Sequence, residues 1–216
     1  MTAAGFASVI LDVDSTLCSI EGIDWLAERR GPAVGAEVVA LTDRAMHGEI
    51  ALDAVYGERL ALVRPSRGDI RALAEAYAGS MAGGAVRAVT RLLASGRRVV
   101  MVSGGLRDAI LPLGKLLGIG EDDVHAVSVR FDASGNYADF DVASPLATAT
   151  GKRAVAESLA LPARVLAVGD GATDLAMRPA VDAFAAFTGF VVRDAVVRGA
   201  DVVITSFDQL VELVLA

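Results

Sequence analysis

The run Ser8-Val9-Ile10-Leu11-Asp12-Val13-Asp14-Ser15-Thr16 decides how the rest of the chain is read. Val9, Ile10 and Leu11 predict a buried strand over Ser8–Val13, and polarity arrives abruptly where that strand should end. In open parallel α/β sheets the carboxyl ends of the strands are where ligands sit. Asp12 and Asp14, one residue apart at such an edge, repel each other unless something cationic lies between or beside them. A divalent metal would meet that need and leave one carboxylate poised as a nucleophile, which points to phosphate chemistry.

Working outward, apolar runs predict further strands over Arg98–Val102, Val124–Phe131, Arg164–Val168, Ala183–Phe187 and Asp201–Ile204. Helical patterns lie between most of them. Val86, Val89, Leu92 and Leu93 share one face, with Gly96 as the stop. Ser206 and Gln209 form a capping box ahead of Leu210, Val211 and Val214. Pro112 interrupts the helix expected after Leu106 and predicts a kink or an early start. Strands alternating with helices imply an α/β fold, a parallel sheet with helices on both faces.

Two segments break the alternation. Residues 19–78 contain helical stretches and no strand: Val34, Val38, Leu41 and Ala45 repeat at helical spacing, Leu52 to Leu62 makes another, and Ser66 with Asp69 caps a third. They read as a small helical domain inserted after the first strand, within a core formed by residues 1–18 and 79–216. In Val127–Asp141, the stretch Asp132-Ala133-Ser134-Gly135-Asn136 reads as the turn of a hairpin outside the main sheet.

Composition narrows the function classes. The 216 residues suffice for a sizeable core, and 54% hydrophobic against 22% charged argues against disorder. A formal net charge of −7 lacks the basic face of a nucleic-acid binder. No apolar run reaches the roughly 18 residues a spanning helix needs, so no membrane partner is expected. No signal peptide is evident, and Cys18 is the single cysteine, so a cytoplasmic location is expected. Cys18 has no accompanying histidine, and His47 and His125 stand apart from any zinc spacing. Ala149-Thr150-Gly151-Lys152-Arg153 lacks the first glycine and the hydroxyl of a nucleotide loop, and Asp174 stands where a dinucleotide fingerprint needs Gly or Ala.

Three polar clusters follow or precede predicted strands: Ser103-Gly104-Gly105, Lys152, and Gly169-Asp170-Gly171-Ala172-Thr173-Asp174. Phosphate-ester hydrolysis asks for such an inventory. The transferring phosphoryl must be neutralised and held in line, and a carboxylate nucleophile divides the reaction through an acyl phosphate. Asp12 suits the nucleophile and Asp14 the acid and base. Asp170 could complete a hard oxygen site for Mg²⁺. Ser103 and the following glycine amide could bind phosphoryl oxygens, with Lys152 as a permanent positive charge. Each cluster also has a plainer reading. Ser103-Gly104 could be a turn, Lys152 a solvated lysine, and Thr173 and Asp174 helix caps.

In this order, Asp-x-Asp-Ser-Thr, Ser-Gly-Gly, Lys and Gly-Asp-Gly-x-Thr-Asp resemble the four motifs of the haloacid dehalogenase superfamily. Glu21-Gly22-Ile23-Asp24, Arg44-Ala45-Met46, Glu58-Arg59-Leu60-Ala61-Leu62 and Pro65-Ser66-Arg67 resemble the helical cap of its phosphoserine-hydrolysing branch. The likeness runs from about Val9 to Leu213 and implies a Rossmann-like core with the cap inserted after strand 1. It further implies Mg²⁺-dependent hydrolysis of O-phospho-L-serine, the last step of serine biosynthesis, through an aspartyl phosphate on Asp12. The metal would be held by Asp12, the main-chain carbonyl of Asp14, and Asp170, with Asp174 behind them. Ser103, Gly104 and Lys152 would grip the phosphate, Glu21 the substrate ammonium, and Arg59 its carboxylate through a bidentate fork. Met46 would pack on the amino acid, and Thr173 and Arg193 would line the site.

Two departures stand out. His47-Gly48 follows Met46 where some relatives have two glycines, and the chain starts almost at its first strand, so a preceding regulatory domain is not expected. The partner expected is a small phosphorylated amino acid, and the chain a monomer or homodimer. Two alternatives stay open: a related phosphatase or phosphotransferase acting on another small phosphorylated amino acid or alcohol, and a signalling module that stores phosphate on Asp12.

Overall fold

The computed structural model describes residues 5–46, 50 and 52–216, without the side chains of residues 43, 45, 46, 52 and 53. The apolar runs become β1 (Ser8–Leu11), β2 (Arg98–Leu106) and β3 (Val124–Val127). After an antiparallel hairpin of β4 (Val129–Phe131) and β5 (Tyr137–Phe140) come β6 (Val165–Gly169), β7 (Ala183–Phe187) and β8 (Val202–Ile204). Six strands form one parallel sheet in the order β3-β2-β1-β6-β7-β8. The chain winds outward from β1 in one direction and then, from β6, in the other. The switch point therefore lies beside β1, where ligands gather in such sheets. Leu11 is level with Met101 of β2 and Val168 of β6, so the residues just beyond share one edge.

Side chains alternate across the sheet with period two. Val9 and Leu11, Val99 and Met101, and Leu166 and Val168 enter one apolar layer, whereas Ile10, Val100, Val102 and Ala167 enter the other. The first layer is covered by α5 (Ala85–Ala94), α6 (Arg107–Leu117) and α10 (Phe207–Leu215). The second is covered by α7 (Gly151–Ser158) and α9 (Asp194–Gly199). Residues buried on both faces explain why these strands read as continuous apolar runs.

Between β1 and α5 lie four helices: α1 (Gly22–Arg30), α2 (Pro32–Met46), α3 (Leu52–Val63) and α4 (Arg67–Gly79). Their buried residues Ile23, Leu26, Val38, Leu60, Leu73 and Tyr77 belong to the same apolar layer as Val9 and Leu11. The hairpin leans on these helices. Tyr56 meets Phe140 with ring centroids 5.3 Å apart, Arg67 lies 4.7 Å over the Phe131 ring, and Arg67 N donates to Gly135 O at 2.9 Å. No helix among the described residues is long and apolar enough to cross a membrane.

Three local expectations are corrected. β2 does not stop at Val102 but runs on through Ser103-Gly104-Gly105 to Leu106. Its pairing passes from Val102↔His125 to Leu106↔Val127, so the extra residues bulge and the strand resumes beyond them. α6 is not interrupted at Pro112 but runs through it to Leu117, with both Pro112 and Asp108, the residue whose carbonyl the proline leaves without an amide partner, exposed. At α10, Ser206 Oγ accepts from Gln209 N, but Gln209 reaches back to Thr205 N at 2.7 Å rather than to Ser206 N.

Candidate active site

Asp12 and Asp14 leave the end of β1, and a turn follows in which Ser15 takes a φ of +52°. The bulge of β2 brings up Ser103, the first turn of α7 brings Lys152, the end of β6 brings Asp170, and the short helix α8 (Ala172–Leu175) brings Asp174. Lys152 Nζ donates to Asp12 Oδ1 at 2.5 Å and to Asp174 Oδ1 at 2.7 Å. Thr16 Oγ1 donates to Asp170 Oδ1 at 2.8 Å, and Asp174 Oδ2 accepts from Gly171 N at 2.9 Å.

The charges are unbalanced. Asp12, Asp170 and Asp174 are all buried, and Lys152 is the one buried cation among the described residues. Burial and the nearby Asp174 push the Asp12 carboxyl well above the ordinary carboxylate range, and Lys152 opposes them. Burial works against the Lys152 ammonium, but Asp12 and Asp174 outweigh it and hold its pKa above the ordinary lysine value. Oxygens of Asp12, Asp170 and Asp174 lie within 4.8 Å of one another. An all-carboxylate set carrying excess negative charge fits a hard divalent cation.

Asp14 turns away from that trio. Its Oδ1 accepts from Gly22 N and from the Tyr77 hydroxyl, both at 2.7 Å, and Ser103 Oγ lies 3.4 Å from Oδ2. Burial first, and the charge of Glu21 second, raise its pKa to about 6, against the pull of the Tyr77 and Gly22 hydrogen bonds. The carboxyl thus changes protonation near neutrality, as an acid that must later serve as a base requires.

A pocket of about 640 Å³ opens over these groups, lined by Asp12, Asp14, Lys152, Asp170, Thr173 and Arg193 below and by Glu21, Tyr56 and Arg59 above. Glu21 accepts from Ser15 Oγ at 2.7 Å and lies 3.6 Å from Arg193, which also pairs with Asp170. Arg59 pairs with Asp24, while its Nε is buried without a hydrogen-bond partner. Gly104 lines the pocket and accepts from the Tyr56 hydroxyl at 2.8 Å. The Met46 side chain and His47 lie outside the described residues.

A reading of the sequence passes over Tyr77 and does not single out Thr16. Tyr77 falls in helical register with Ile70 and Leu73, so it reads as core, and nothing in the pattern marks its hydroxyl. Thr16 stands in the opening run, but its bond to Asp170 spans 154 positions.

The family model of haloacid dehalogenase-like hydrolases matches residues 6–182. The phosphoserine phosphatase of Drosophila melanogaster is 36% identical over 94% of this chain and 76% of its own length. That of Homo sapiens is 36% identical over 94% of this chain and 91% of its own. Among solved structures, a phosphoserine phosphohydrolase-like protein from Francisella tularensis superposes with a TM-score of 0.83 at 25% identity, covering 96% of this chain and 99% of the other. The edge of carboxylates around Asp12 and the match over most of the chain agree: this chain belongs to the haloacid dehalogenase-like hydrolases and, within them, to the phosphoserine phosphatase family.

Proposed function

We propose that the chain hydrolyses O-phospho-L-serine to L-serine and phosphate through an aspartyl phosphate on Asp12. One observation carries the reading: a buried carboxylate held by Lys152 and a carboxyl of pKa about 6 face one pocket, which Glu21 and Arg59 enter from the helical insertion. A carboxylate oxygen of Asp12 attacks phosphorus while the bond to the seryl oxygen breaks and that oxygen takes the Asp14 proton. Serine leaves. Water then attacks phosphorus and gives its proton back to Asp14, the acyl phosphate bond breaks, and Asp12 is regenerated.

A bound Mg²⁺, held by Asp12, Asp170 and the Asp14 main-chain carbonyl with Asp174 behind them, would neutralise charge on the phosphoryl oxygens. Lys152 sets its charge against the burial that favours a protonated Asp12, and Ser103 and Gly104 would grip the phosphoryl oxygens. Glu21 offers its charge to the substrate ammonium. The unpartnered Nε of Arg59 supports a fork to the substrate carboxylate, with Asp24 giving up part of its hold. Helices α1–α4 act as a cap, and residues 19–78 as its domain.

The test is phosphate release from phosphoserine, phosphothreonine and unrelated monoesters, each with Mg²⁺ and with EDTA. Phosphoserine should be turned over fastest, and only with metal. Equal rates on all esters would sink the substrate assignment and leave the phosphatase intact.

A further inference from the structure

The Asp14 carboxyl sits in a cage built from two directions. Both lone pairs of Oδ1 are taken, one by the Gly22 N–H and one by the Tyr77 hydroxyl, each at 2.7 Å. Oδ2 has the Ser103 hydroxyl at 3.4 Å. Glycines form the two walls, and neither wall has room for a side chain. A Cβ at Gly22 would fall 2.1 Å from Tyr77 Oη, and one at Gly105 would fall 3.0 Å from Asp14 Oδ2.

Tyr77 is fully buried near the end of α4, and the backbone around it is fastened to the segment that follows Asp14. Cys18 Sγ donates to Tyr77 O at 3.3 Å, Ser19 N to Ser80 O at 2.9 Å and Ala82 N to Leu17 O at 2.8 Å. Donor and acceptor therefore ride on one backbone ladder, and the hydroxyl is placed by the fold rather than by the reach of a free side chain.

We propose that Tyr77 is a positioning residue that fixes which oxygen of Asp14 carries the transferable proton. With Oδ1 saturated by two donors, the proton resides on Oδ2, on the side of Ser103, and passes from there to the departing seryl oxygen as its bond to phosphorus breaks. The Asp14 carboxylate left behind keeps its charge on an oxygen already met by two donors. Remove the hydroxyl, and Oδ1 regains a free lone pair that competes for the proton in an unproductive place. This inference rests on the reading of Asp14 as the acid.

The experiment compares phosphoserine with acetyl phosphate, a smaller substrate whose acetate leaves without needing a proton. The ratio kcat/KM reports the steps through departure of the leaving group. Tyr77→Phe should lower kcat/KM for phosphoserine by about tenfold or more, a share of the roughly 10²–10⁴ that a positioned acid supplies. Acetyl phosphate should stay within about twofold of wild type, a split that general loosening of the fold would not produce. Equal loss on both substrates, or loss on neither, overturns the proposal. Gly22→Ala, whose methyl would displace the same hydroxyl, should give the same split and add little in the Tyr77→Phe background. Additive losses count against a shared cause. If Asp14→Asn leaves phosphoserine turnover intact, the acid assignment fails and this inference with it. If wild type cleaves acetyl phosphate but not phosphoserine, the substrate reading fails instead, and an unchanged Tyr77→Phe rate on any alkyl phosphate it does cleave then overturns the proton placement separately.

Discussion

Asp14 concentrates the conflict between folding and chemistry in one side chain. Its carboxyl is raised to about 6, chiefly by burial and then by Glu21, so the folded metal-free protein holds a proton that the unfolded chain releases near pH 4. Stability from this group is fully present below the unfolded value and is lost as pH rises through the folded one. At about 1.4 kcal/mol per pH unit, the window between roughly pH 4 and pH 6 holds up to about 3 kcal/mol. Asp14→Asn should flatten that slope in urea-unfolding midpoints taken across the window with chelator present. A slope identical to wild type would place the titration elsewhere. The raised pKa follows from packing around Asp14, so no reading of Asp12-Val13-Asp14 alone could contain it.

At the scale of elements, local signals carry furthest where their partners are close in sequence. α4 opens with a full capping box: Ser66 Oγ accepts from Asp69 N at 3.2 Å and Asp69 Oδ2 accepts from Ser66 N at 2.8 Å. Arg30 adds an ion pair to the same Asp69 at 2.5 Å. Ser66→Ala should cost about 1 kcal/mol, read as a lowered denaturation midpoint at unchanged slope. That helix is legible because its start signals lie three residues apart. The bulge in β2 is not, since Ser103-Gly104-Gly105 has the composition of a turn and becomes strand only through pairing with β3. Likewise the single apolar run from Val124 to Phe131 divides at Ser128, because β3 closes one edge of the sheet while β4 pairs with β5.

Over the whole molecule, three buried aspartates against one buried lysine make the folded chain a better host for a divalent cation than the unfolded one. Excess Mg²⁺ should therefore raise the midpoint of thermal unfolding, by about 2.7 kcal/mol of stabilisation at a hundredfold excess over Kd. Asp170→Asn should abolish most of the shift, and a shift surviving that change would move the metal away from Asp170. The residues that converge here were legible because each stands at the carboxyl end of a strand or the start of a helix. Tyr77 was not, because its position in α4 has the spacing of ordinary core.

The hairpin and the four inserted helices share one further consequence. Tyr137 and Val129 of the hairpin join Leu60, Leu73 and Tyr77 of the insertion in the apolar layer that also holds Val9 and Leu11 of the sheet. Such an insertion is not an interchangeable cassette. A graft that kept only its two junctions would strip cover from β4 and β5, more than 60 positions downstream of Arg67, which lies over Phe131. Recombination or design aimed at a new substrate must carry α1–α4 and the hairpin together as one inherited unit.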